Sequence, residues 1–291
     1  MLDRKGILSF LLITFAITYG VEIPLALTGV RFDPGTQTIA QVVVAALMWA
    51  PALATFLTMR LVTREKRDLL NLRFGSLKPY LTAAWLLPLL FIVIYALTWL
   101  LGLDSPDWQL VAFRHMVTRA AGPGSLSDMP SPWVIWPALY FTSLVTAPIL
   151  NTLFALGEEI GWRGYLLPKL MPLGKPRAYL LLGVIWSAWH WPLIVIGFDY
   201  GNSNFFLSIL LFTGLTTGFG MYLNELTLRH KSSVLAGFGH SVFNSQRLGI
   251  WGLLFPAANP LLGGCTGLIG VLTWLILGFW QMRQPETANA K

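Results

Sequence analysis

The chain has 291 residues, 55% of them hydrophobic and only 11% charged, with a mean hydropathy of +0.63 and a formal net charge of +7. Soluble domains run near ~25% charged, so this is a membrane composition, and no polar block divides the chain into separate globular units. The single cysteine, Cys265, excludes an intramolecular disulfide framework and a cysteine-built metal site.

A helix needs about 20 apolar residues to cross the hydrocarbon core. Eight stretches meet that need, over residues 7–27, 39–60, 80–102, 133–157, 178–198, 205–223, 234–254 and 260–282. The first follows the basic "DRK" as a signal peptide would. However, "EIPLALTGVRF" after it holds no convincing small-residue cleavage site, so it reads as a retained span. Between the second and third spans, "RLVTREKRDLLNLRFGSLKPY" (60–80) is basic with leucines at helical spacing and predicts an interfacial amphipathic helix. Residues 102–133 predict a short helix followed by a Pro/Gly/Ser-rich connector, in which His115 is a solvated side chain. The closing "RQPETANAK" is polar and predicts disorder from residue 284 on.

With the N-terminus inside, the outer loops hold Arg31, Arg114, Arg119 and Arg247. The other sixteen of the twenty Lys and Arg lie on inner segments. This asymmetry follows the positive-inside rule, and it places both termini in the cytoplasm of an integral cell-membrane (inner-membrane) protein. The basicity then reflects topology and contact with anionic lipid, which excludes a nucleic-acid footprint.

Three apolar segments carry polar groups that a lipid anchor does not need. In "FALGEEIGWRGYLLPKL", at the inner end of the fourth span, Glu159 and Arg163 stand at i and i+4 and can pair on one helix face. Glu158 lies about 100° around the helix, free to face the bundle. Ordinary charges at a helix end are the bland alternative. In "IWSAWHWPLI", His190 lies among tryptophans one turn after Trp186 and just before the kink-maker Pro192; a packing histidine is the alternative there. In "FGHSVFNS", His240 and Asn244 share a face at i and i+4, a pattern also used as interhelical glue. His230 lies in a basic inner loop and reads as solvated.

Taken together, one carboxylate, two histidines and a carboxamide suffice for hydrolysis by water. A carboxylate stripped of solvent is a stronger base toward water, a histidine can share that water and protonate the leaving amine, and a His–Asn pair can bind an oxyanion. The same Glu158, His190 and His240 are also zinc-compatible ligands, although no H-E-x-x-H or other compact ligand spacing occurs.

The order EExxxR (Glu158, Glu159, Arg163), then His190, then HxxxN (His240, Asn244) resembles the CPBP family of intramembrane endopeptidases. That family includes CAAX prenyl proteases and Abi-type bacteriocin-processing or self-immunity proteins. The resemblance covers about residues 135–255. It departs mildly at Trp186, where the family usually has Phe. It implies an all-α, eight-helix membrane fold with a polar cavity open to the cytoplasm, divided into N-terminal helices over 1–132 and a catalytic core over 133–283. It also implies a glutamate protease in which Glu158 and His190 activate water while His240 and Asn244 stabilise the transition state. Glu159, Arg163 and Trp186 are supporting residues on this reading. No cofactor or metal is expected, and the substrate is a peptide or membrane-protein tail, lipidated or not. A zinc-dependent membrane hydrolase and a non-catalytic immunity or scaffold protein of the same fold are the alternatives.

Overall fold

The computed structural model describes residues 2–32, 36–126 and 129–285, and among them there is no β-strand. Within a bilayer no water satisfies the backbone, so apolar segments close their hydrogen bonds internally as helices. Five helices are long and apolar enough to cross on their own: α1 (Arg4–Leu27), α2 (Thr38–Thr63), α3 (Lys78–Leu100), then Pro132–Leu173 and Phe205–His230. A short helix, α4 (Val111–Ala121), occupies the connection after α3, as the sequence predicted.

We label Pro132–Leu173 α5. The next crossing is made of two pieces, α6 (Lys175–Trp189) and α7 (Trp191–Val195), which join at His190. Then follow α8 (Phe205–His230), α9 (Ser233–Gln246, prolonged by irregular turns to Leu254) and α10 (Leu268–Arg283). Among the described residues the fold is all-α, with α8 and α9 the most enclosed.

Three expectations are corrected. Residues 60–80 do not form an amphipathic helix. Arg64 and Asn71 both adopt left-handed backbone (φ 55° and 52°), and only a four-residue 3₁₀ turn (Arg67–Leu70) lies between them. The segment is held extended because its carbonyls serve the start of α9: Ser233 N–H donates to Asn71 O, Ser233 Oγ to Leu70 O and Ser232 Oγ to Arg73 O. The fourth span does not stop at residue 157 but runs on to Leu173, so Glu158 lies within a continuous helix. The last crossing begins at Leu268, after an irregular stretch.

Close glycine contacts join α2 and α5 beside the EExxxR segment. A Cβ on Gly157 would stand 2.6 Å from Met48 O, and one on Gly161 would stand 2.4 Å from Pro51 Cβ. Only a bare Cα lets α2 and α5 approach this closely. At the end that carries the termini Lys169 bridges Asp3 and Glu65, each at 2.6 Å, and so ties α5 to the starts of α1 and the α2–α3 connection.

Candidate active site

The EExxxR segment lies where α5 changes character. Residues up to Glu159 are α-helical, and Ile160–Leu166 form a π-helical stretch in which every residue is buried. Such bulges recur at functional sites because they re-aim side chains relative to a regular helix. The sequence-predicted pair forms here: Arg163 donates to Glu159 Oε1 at 2.9 Å, both side chains fully buried. The same oxygen accepts from Nδ1 of His240 at 2.8 Å, and Arg163 Nε donates to Asn224 Oδ1 at 3.1 Å. Two charges taken out of water are thus met by several hydrogen bonds at once, which such burial requires.

Glu158 faces elsewhere. Its Oε2 accepts from the indole Nε1–H of Trp186 at 2.8 Å, and the side chain lines a cavity of about 550 Å³. His190, His240 and Asn244 line the same cavity, so residues from α5, the α6–α7 break and α9 converge on one space. The break at His190 has a local cause, since Pro192 has no N–H to continue the helix.

Hydrogen bonds set the tautomers. His190 Nδ1 lies 2.9 Å from Trp186 O, and a carbonyl only accepts, so Nδ1 carries the hydrogen and Nε2 holds a lone pair. In His240, Nδ1–H points at the Glu159 carboxylate, and Nε2 is left for the cavity. A neutral ring there would accept at Nε2, and only the cation donates.

Trp186 touches four of these residues. It donates to Glu158, its carbonyl orients His190, its ring carries the Arg163 guanidinium at 4.2 Å, and it meets His240 edge-on at 5.4 Å. The sequence suggested packing for this residue and did not reveal the hydrogen bond. Among the described residues, no three His, Cys, Asp or Glu side chains are arranged to hold a metal ion. His115 and His230 are exposed and stand away from the site.

The cavity runs from the buried Glu158 and His240 toward Phe32, Asp199 and Arg247, at the end of the bundle opposite the termini. Its exposed rim includes Gln41 of α2 and Phe154 of α5. The lining thus reaches toward the end of the bundle opposite the termini, whereas the resemblance implied a cavity open on their side. Sequence reading also missed Asn224, the Asp199–Arg247 pair and Glu22. Glu22 is a buried carboxyl in α1 whose two oxygens have no hydrogen-bond partner among the described residues. A lone acid in the first apolar run was the available signal for it.

A polytopic all-α membrane protein with a buried carboxylate–histidine–amide cluster around an intramembrane cavity is the class these features define. Over residues 131–246 the sequence matches the family of Rce1-like type II CAAX prenyl endopeptidases, in agreement with the resemblance carried by its motifs. It is also 33% identical over 117 residues to CAAX prenyl protease 2 of Methanococcus maripaludis, covering 36% of this chain and 41% of that protein. The matched stretch contains Glu158, Glu159, Arg163, Trp186, His190, His240 and Asn244. The chain thus spans less than half the length of this relative.

Proposed function

We propose that the protein is an intramembrane endopeptidase that hydrolyses a peptide bond near the end of a membrane-associated tail, using water activated by Glu158 and His190. The observation that carries this reading is the convergence of Glu158, His190, His240 and Asn244 on one cavity, while Glu159 and Arg163 are consumed in a separate buried network. Trp186 occupies one oxygen of Glu158, which orients the other toward a water shared with the unprotonated Nε2 of His190. That water attacks the scissile carbonyl, and its proton passes by way of these two groups to the leaving amine. His240, positioned by Glu159, and Asn244 stabilise the oxyanion.

The relative's name speaks of a prenylated CAAX tail, and the cavity supports a lipidated substrate here. Phe32, Phe154, Phe198, Phe212, Phe219 and Phe243 line most of its apolar wall. The charge asymmetry supports cytoplasmic termini in a cell membrane, with the tail entering from the bilayer between α2 and α5. The catalytic core is then the 133–283 region, with α2 closing one wall.

The test is turnover of a lipidated C-terminal peptide by protein in lipid nanodiscs. Glu158→Gln keeps the shape and the acceptor for Trp186 but cannot take a proton. It should fold normally and lose turnover by several orders of magnitude. Full activity in this variant would overturn the reading.

A further inference from the structure

The mechanism leaves one charged feature of the cavity unused. Arg247 lines it and is paired with Asp199, the guanidinium lying over the Phe198 ring at 4.9 Å. Both side chains are mostly buried, and among the described residues Asp199 is the one hydrogen-bond partner of the Arg247 guanidinium. Of the guanidinium's five N–H donors one is committed, and the rest of the fork remains for a ligand. Among the described residues no other Lys or Arg lines the cavity, so an anion entering this apolar space finds its permanent positive charge here.

The backbone departs from regularity to make the pair. Asp199 adopts left-handed backbone (φ 63°) in a loop bounded by Gly197 and Gly201, a conformation that costs a non-glycine residue energy. Arg247 opens a π-helical stretch in which Gly249 leaves helical geometry altogether (φ −91°, ψ −117°). Together the two side chains also form the wall between the main cavity and a smaller one of about 200 Å³.

Position supplies the second argument. His240, Asn244 and Arg247 stand at i, i+4 and i+7 and all three line the cavity. At about 1.5 Å rise per residue, Arg247 lies roughly 10 Å along the wall from His240. An extended peptide covers about 3.3 Å per residue, so a chain whose scissile carbonyl is held at His240 and Asn244 reaches Arg247 after about three residues.

We propose that Arg247, balanced at rest by Asp199, is the subsite that binds the free C-terminal carboxylate of the substrate and sets how far from the chain end cleavage falls. The inference rests on the endopeptidase reading above. A carboxylate suits the site because a guanidinium fork binds it through two parallel hydrogen bonds, and burial strengthens them. Asp199 keeps the charge from standing alone before substrate arrives.

The experiment compares two lipidated peptides that differ only in ending as a free acid or as a carboxamide, cleaved by full-length protein in nanodiscs. For the wild type we expect kcat/KM to favour the acid by about 10-fold or more, the difference lying in KM. In the charge-neutral double variant Asp199→Asn/Arg247→Gln the acid-to-amide ratio should fall to near one. Asp199→Asn alone, which leaves the arginine unbalanced, should raise the ratio, and it keeps the test open if the double variant does not fold. A wild type that cleaves both peptides equally well, or a preference that survives in the variants, overturns the proposal while leaving proteolysis standing. If the wild type cleaves neither peptide, the endopeptidase reading is what fails. Quenching of tryptophan fluorescence by the two peptides then decides the subsite: acid-selective binding lost in the double variant upholds it, and equal binding ends it.

Discussion

At the scale of single residues, the two intramembrane histidines are distinguished by what their Nδ1 atoms touch. A carbonyl behind His190 leaves Nε2 with a lone pair, whereas a carboxylate behind His240 fixes that ring with Nε2 toward the cavity. His190→Gln should therefore remove nearly all turnover, because glutamine cannot relay a proton. His240→Gln and Asn244→Gln keep a donor and should each lose about 10²–10³ in rate, the usual cost of one oxyanion donor. Single-turnover kinetics in nanodiscs checks this ordering. Equal losses at all three positions would mean that His240 also handles protons.

At the scale of elements, stability is concentrated in the crossing of α2, α5 and α9. Glu159→Gln or Arg163→Ala strands a fully buried partner, and breaking such a pair costs roughly 3–5 kcal/mol. Both should lower the unfolding temperature in detergent well below that of Glu158→Gln, whose side chain faces the cavity. The reverse order would place the structural charge on Glu158. Gly161→Val should fail to accumulate in membranes, since its Cβ would overlap Pro51 and push α2 away from the site. Accumulation at wild-type level would show that the two helices can part without loss.

At the scale of the whole molecule, the termini and the cavity mouth lie at opposite ends of the bundle, and the arrangement of charge gives this an orientation. Read from the sequence, sixteen of the twenty Lys and Arg fall on the segments assigned to the side of the termini, so reporter fusions after residues 70 and 175 should read cytoplasmic, and fusions within 104–132 external. The opposite pattern would turn the cavity mouth toward the cytoplasm.

Hydropathy alone was enough for the fold class, because a bilayer leaves an apolar backbone no choice but helix. The spacing of Glu159 and Arg163, and of His240 and Asn244, announced shared faces, because those pairs lie within one turn and depend on nothing distant. Other features depended on contacts between remote residues. Residues 60–80 look helical by periodicity but are drawn out by hydrogen bonds to the start of α9, more than 150 residues away in sequence. The extent of α5 escaped hydropathy because its charged turn is buried by Arg163, Asn224 and His240 and so does not end at the membrane surface. Trp186 as a donor to Glu158, and Asp199 facing Arg247, bring together residues 28 and 48 positions apart. Local periodicity carries no information about such pairs; only the packing of helices against one another decides them.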